Sequence, residues 1–295
     1  MVPFTQLATQ SRNQPLPALP NMLKEKALKS LSDLPPFSPI LNRLVATLAG
    51  EDVSFTKLAD LIEKDTVVTA NLLQLVNSAL YGRRGTVNSV GYALSLLGLD
   101  KVRNALLGMS ITSLWKKIKM PGSWSMARFN MHSAASGVLS DLLAQRMEVG
   151  YPEGAFVAGL LHDVGRLVIA LGLPQQHAQI LESYKAGRTY LDAEREILGF
   201  THPELSAQAL KVWNLPEPIQ EAVLHHHNPD AEGLGRVVNA ANQYVNSAGF
   251  SILPEGDADY ADAAMLESLG LDPARLTLVM ADFNTEYAAL VPYFR

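Results

Sequence analysis

The chain has 295 residues, 48% of them hydrophobic and 18% charged, with a formal net charge of −5 and no cysteine. That balance excludes a disordered chain, because disorder needs few apolar residues and much charge. The missing cysteines exclude disulfides and thiolate chemistry, so any metal must be held by His, Asp, Glu or water.

Residues 1–20 read as a loose polar leader, with neither the basic segment nor the apolar run of a signal peptide. Apolar runs such as 155–161 are too short to cross a bilayer. The expectation is a cytoplasmic protein with no membrane partner.

Helical patterns then follow one another. Leu23 to Leu31 is a short helix, Pro35, Pro36 and Pro39 punctuate, and Ile40, Leu41, Leu44, Val45 and Leu48 recur at helical spacing. Ser54 and Thr56 can cap a helix through Leu58, Leu61 and Ile62, and Asp65 can cap the next, which carries Val68, Leu72, Leu75, Val76 and Leu80. Asn77-Ser78 followed by Tyr81-Gly82 closes it. Val90 to Leu97 ends at Gly98, and Val102 to Trp115 follows. Pro121-Gly122 marks a connection.

Met131 to Met147 has an apolar stripe of Ala134, Ala135, Val138, Leu139, Leu142 and Met147. Residues 150–153 turn the chain. Ala155 to Leu171 is apolar on nearly every side and reads as one buried helix. Pro174 and Lys185-Ala186-Gly187 break the pattern. Leu191 to Leu198, Pro203 to Trp213, Pro216 to His226, Val237 to Val245 and Pro273 to Val291 are further helices. Period-2 alternation is nowhere sustained, so the fold class is all-α. The organisation expected is a leader at 1–20, a helical subdomain at 21–120, a second at 121–250 and an acidic helical extension at 251–295.

That extension holds eight acids against Arg275 and Arg295, a net of −6, which leaves the rest of the chain near neutral at +1. Duplex nucleic acid calls for a basic face. Arg83, Arg84, Lys101, Arg103, Lys116, Lys117 and Lys119 form only a thin one, better read as a solvated helix surface. Nucleic acid is therefore not an expected partner.

All seven histidines lie between His132 and His227. His162-Asp163 interrupts an apolar helix, and burying an imidazole beside a carboxylate is costly unless they are paired or coordinated. Ile219, Ala222, Val223 and His226 share one helical face, which turns His226 inward, His227 partly inward and His225 to solvent beside Glu221. His202 and His132 sit near helix starts, and His177 reads as a surface residue. The inward group of His132, His162, Asp163, His202, His226 and His227 points to a metal site. Such imidazole-rich ligation suits iron, manganese, nickel or zinc, as one or two ions.

The segments LLHDVGRL (160–167), THPELSAQALKVWNLP (201–216) and AVLHHHNP (222–229) resemble the HDOD family, the HD-related output domain of bacteria. So do LPPFSPILNRLVATL (34–48), LADLIEKDTVVTANLLQLVNSALYG (58–82) and ALSLLGLDKVRNALLG (93–108). The resemblance implies an all-α fold and a regulatory output role in signalling, acting on a protein partner. Relative to HD phosphohydrolases and HD-GYP cyclic-dinucleotide phosphodiesterases, His132, His162, Asp163, His202, His226 and His227 match ligand positions. It also implies that Asp163 bridges two metals and that Arg166 is the cation nearest to a phosphate-containing ligand, which would make Asp163 and Arg166 the catalytic pair if the chain hydrolyses phosphate esters. A further aspartate of those enzymes is matched here by Asn242. A neutral amide is a weaker ligand and cannot act as a base. The resemblance therefore sets two expectations side by side: an output module with a retained metal site and little hydrolysis, or a metal-dependent phosphodiesterase.

Overall fold

The computed structural model describes residues 19–33, 39–48, 55–78, 86–253 and 269–294. No strand is present among the described residues. The first helices are α1 (Leu19–Lys29), α2 (Pro39–Leu48), α3 (Phe55–Glu63), α4 (Thr66–Val76), α5 (Val90–Leu97) and α6 (Leu99–Trp115). After a connection at 116–125 come α7 (Met126–Ala144), α8 (Ala155–Leu161), α9 (Val164–Gly172), α10 (Pro174–Lys185) and α11 (Tyr190–Leu198). The series ends with α12 (His202–Val212), α13 (Glu217–Leu224), α14 (Gly233–Ser247) and α15 (Pro273–Phe294). Most of the leader, the Ser54 cap, Tyr81-Gly82, Arg83, Arg84 and the acids from Glu255 to Glu267 lie outside the described residues.

Local chemistry sets several boundaries. Asp65 caps α4, its Oδ1 accepting from the amides of Val67 and Val68 at 3.1 Å each. Asn77 ends the same helix and grips the next segment: Nδ2 donates to the carbonyls of Leu73 and Val87, and Oδ1 accepts from the Val87 amide at 2.7 Å. Pro174 opens α10, a helix the sequence pattern left as a break, because proline's missing N–H is harmless at a helix start. Of the thin basic face, Arg103 is buried and Lys101 bonds Glu286 at 2.6 Å.

α7 is the axle of the second half, packed against α8, α14 and α15. It starts at the Ser125 cap, five residues ahead of the sequence expectation, which places His132 nearly two turns inside the helix. It is buried on almost all sides from Phe129 to Ala144 rather than along one stripe, because three helices surround it. Gly159 of α8 lets that helix approach closely, since a Cβ there would lie 2.5 Å from the Ser136 carbonyl oxygen of α7. Trp115 and Trp213 meet across the connection with ring centroids 6.1 Å apart.

The single helix expected over 155–171 is two. α8 stops at Leu161 and α9 restarts at Val164, with Asp163 at φ −98° and ψ 10° between them. The run Pro152–Gly172 is long and apolar enough to span a bilayer by length and composition, yet 94% of its most apolar window is buried inside the protein. His162 keeps helical dihedrals at φ −55° and ψ −37°, and Asp163 is the residue that leaves them, with its carboxylate 3.0 Å from His202 at the start of α12.

α9 then meets the start of α12 at Gly165, whose amide donates to Ser206 Oγ at 2.7 Å. A side chain at Gly165 would overlap the carbonyl oxygen of His202. Gly165→Ala is therefore expected to lower stability by about 1–3 kcal/mol through overpacking. Urea unfolding of the variant checks this, and an unchanged midpoint would mean that the contact between α9 and α12 is looser than described.

Candidate metal centre

The interior of one helix and three helix junctions deliver the centre. His132 comes from α7, His162 and Asp163 from the break between α8 and α9, His202 from the first residue of α12, and His226 and His227 from the turn after α13. α13 ends at Leu224, so the paired histidines do not extend its apolar face as the spacing predicted. They reach the centre because the chain turns there. His225 faces solvent beside Glu221 at 3.4 Å, as expected.

Two ligand groups share one carboxylate. Asp163, His202, His226 and His227 form one; His132, His162 and Asp163 form the other. Asp163 Oδ1 lies 3.0 Å from His202 Nε2 and 3.5 Å from His226 Nε2. Its Oδ2 lies 3.6 Å from Nε2 of both His132 and His162. His202 Nε2 and His227 Nε2 are 3.1 Å apart. His132, His162, Asp163, His202 and His226 are each no more than 2% exposed, and His227 is half-buried.

The donor set fits a cation. Nδ1 of His132, His162 and His226 faces the carbonyl oxygens of Phe250, Gly159 and Val223 at 3.0, 2.8 and 2.6 Å. A carbonyl can only accept, so Nδ1 carries the hydrogen in each ring and Nε2 carries the lone pair. Burial pushes these imidazoles down, His132 to about 3 and His162 to about 4, and lowers His226 and His227 as well. Neutral rings therefore aim lone pairs at one another, with His132 Nε2 only 3.1 Å from His162 Nε2. His226 Nε2 is buried without a donor and faces Asp163 Oδ1 at 3.5 Å. Such an array of acceptors is repulsive by itself and would be satisfied by a metal ion.

Asp163 stays ionised. Burial pushes its carboxyl up, but Arg166, His162 and His202 outweigh burial and hold it well below the usual range. Arg166 Nε is 3.4 Å from Asp163 Oδ2, and the guanidinium carbon lies 4.4 Å from the Tyr190 ring centroid.

One residue of the centre went unseen in the sequence. Glu194 of α11 is fully buried, and its Oε2 accepts from both the backbone amide and Nδ1 of His202, at 2.8 Å each. A carboxylate in this place would fix the tautomer of a histidine that holds a metal. Burial pushes the His202 pKa down, but Glu194 and Asp163 outweigh it and raise the value. The signal was present: Glu194 occupies an apolar position of α11, in line with Tyr190, Ala193 and Leu198. Asn242 is buried, and its Oδ1 accepts from Asn246 Nδ2 at 2.8 Å. His177, read as a surface residue, is only 2% exposed, because α10 turns it under Trp124.

Comparison with known proteins follows the same lines. The HDOD domain family model matches residues 34–229. An HDOD domain protein of unknown function from Geobacter sulfurreducens is 25% identical with a TM-score of 0.72, covering 93% of this chain and 97% of that one. A Marinobacter aquaeolei protein, provisionally assigned to signal transduction, shares the fold at 21% identity and a TM-score of 0.70, covering 94% of this chain and 66% of that one. An uncharacterised protein of Treponema pallidum is 25% identical over 204 residues, and the matched region spans 38% of that relative's length.

Glu194→Gln is expected to weaken metal binding about 10- to 100-fold, the usual effect of removing such a partner. Competition with a chelator measures it, and unchanged affinity would show that Glu194 serves folding alone. The metal-free protein should also be acid-sensitive. His132, His162 and His177 titrate below 6.5 in the folded chain, His177 at about 4 through burial and then Arg166. Unfolded histidines take up protons near 6.5 that these folded ones refuse. Their contribution is thus complete above pH 6.5 and falls by about 1.4 kcal/mol per pH unit per group as pH drops toward 4. His202 has the opposite sign: its contribution is complete below 6.5 and is lost as pH rises through its raised value. Urea midpoints from pH 8 to 4 in the presence of chelator should fall on the acid side, and a flat profile would contradict the buried neutral rings.

Proposed function

This chain belongs to the HDOD family, and from that membership we propose that it is a regulatory output module of bacterial signalling. Its histidine–aspartate centre holds one or two transition-metal ions and turns over phosphate esters weakly or not at all. The observation that carries this reading is the closure of the centre. Structural metal sites are saturated and shut, whereas catalytic ones keep a coordination position open. Here five ligand residues are no more than 2% exposed, and the sixth, His227, is half-buried.

Two side chains support the same reading. Arg166, the cation expected to hold a phosphate, lies against Asp163 and Tyr190 inside the protein. Asn242 brings an amide where the enzymes of the wider superfamily bring a carboxylate. When bound, a divalent ion supplies Lewis acidity and a water of lowered pKa. This chain's own residues do the rest. Asp163 joins both ligand groups, Glu194 orients His202, and the backbone carbonyls fix the tautomers of His132, His162 and His226. With a metal held by these residues, α7, the α8–α9 break, α12 and the turn after α13 would form one unit that presents a surface to a signalling protein.

A second reading, a metal-dependent phosphohydrolase acting on nucleotide or cyclic-dinucleotide substrates, is favoured by one observation. Asp163 stands between two ligand groups, as the bridging carboxylate of a two-metal site would. Elemental analysis and turnover separate the readings. Protein loaded with manganese or iron is expected to hold metal that Asp163→Ala loses, and to hydrolyse bis(p-nitrophenyl) phosphate or a cyclic dinucleotide no faster than the metal-free form. Rapid hydrolysis abolished by Asp163→Ala would install the second reading. Failure to retain or take up metal would remove the first.

A further inference from the structure

Five histidines belong to the metal centre and His225 is at the surface, which leaves His177 as a buried imidazole with no part in that site. It stands in the wall of a second cavity of about 260 Å³, formed by the start of α7, by α10, by Tyr190 of α11 and by the segment after α14. Trp124, Tyr184 and Tyr190 supply aromatic faces, Leu181 an apolar patch, and Arg128 a cation at the rim.

The wall carries a buried polar group that the fold does not satisfy. His177 Nδ1 is 3.2 Å from Ser123 Oγ. The indole N–H of Trp124 is buried without an acceptor. Buried polar groups are nearly always paired, and an indole N–H usually finds an acceptor, so an unmet indole N–H beside the His177 ring in a cavity wall marks a place for a ligand's polar atom. Arg128 is held at the rim by its Nη1, which donates to the Leu253 carbonyl at 3.2 Å. An apolar, aromatic cleft with a few convergent polar groups is the ordinary form of a small-molecule site. Its rings would stack on a planar ligand, His177 and Trp124 would meet polar atoms of that ligand, and Arg128 would meet an anionic group.

We propose that this cavity binds a small planar aromatic molecule carrying an anionic group, at a site separate from the metal centre. The cavity's size suits one ring system and one anion rather than a polymer. Burial of His177 favours its neutral form, which can donate or accept at Nε2. The chemistry is shared by a nucleoside monophosphate and by an aromatic carboxylate.

Calorimetric titration of the full chain tests this, with chelator present throughout so that the metal centre takes no part. The two probes are adenosine 5′-monophosphate and indole-3-acetate. At least one is expected to bind saturably at one per chain. Binding of the nucleotide alone identifies a nucleoside phosphate site; binding of the carboxylate, with or without the nucleotide, identifies a general aromatic-anion site. Arg128→Ala and Ala178→Trp, both at exposed positions bordering the cavity, are expected to weaken binding at least tenfold while leaving the thermal midpoint unchanged. Three results would overturn the proposal: no binding of either probe at millimolar concentration, binding indifferent to both variants, or binding that appears only when metal is restored.

Discussion

Four segments in the second half of this protein converge on one buried carboxylate. Asp163 sits at 2% exposure among apolar helices, where an unpaired charge would cost several kcal/mol. Arg166 compensates one oxygen and His202 the other, while the Nε2 lone pairs of His132, His162 and His226 surround the same carboxylate and would need a cation to join it. Each partner arrives from a different element, so the constraint is met only when α7, α9, α12 and the turn after α13 are all in place. The break between α8 and α9, the missing side chain at Gly165 and the buried Glu194 follow from the same need. A continuous helix would hold Asp163 in register, and a side chain at 165 would push α12 and its histidine away.

The charges of the centre come close to balance. Asp163 and Glu194 bring two negative charges and Arg166 one positive, while burial keeps His132, His162, His226 and His227 neutral. One positive charge is still required. His202 can supply it as a proton, which its raised pKa favours, or a metal ion can supply it at the lone pairs of the rings. Proton and metal thus compete at His202 in particular, because metal binding needs the neutral ring. Tyr190 carries this centre to its neighbour: its ring bears the Arg166 guanidinium, meets the His202 ring at a centroid distance of 6.2 Å, and forms part of the cavity that holds His177.

The resemblance to the HDOD family rested on ordered segments in both halves of the chain, and the family match covers residues 34–229. Fold class and helix order were legible because apolar residues recur at 3.6-residue spacing and because capping residues such as Asp65 act on amides two or three positions away. The candidate ligands were legible for a chemical reason. Histidine and aspartate inside apolar runs are too costly to be accidental, so LLHDVGRL and AVLHHHNP announced themselves without any knowledge of the fold.

Tertiary structure decided what local periodicity cannot carry. The split of residues 155–171 into two helices depends on what His162 and Asp163 face, and the run itself is apolar throughout. His177 looked exposed because its neighbours Gln175 and Gln176 are polar, yet α10 packs its ring beneath Trp124. Glu194 lies eight residues from His202 and reveals its role only when α11 folds back onto α12. Sequence fixes which groups are too polar for a core, since that cost belongs to the residue itself. Only the packed fold decides which of them meet, since a contact at 3 Å between residues tens of positions apart is a property of several helices at once.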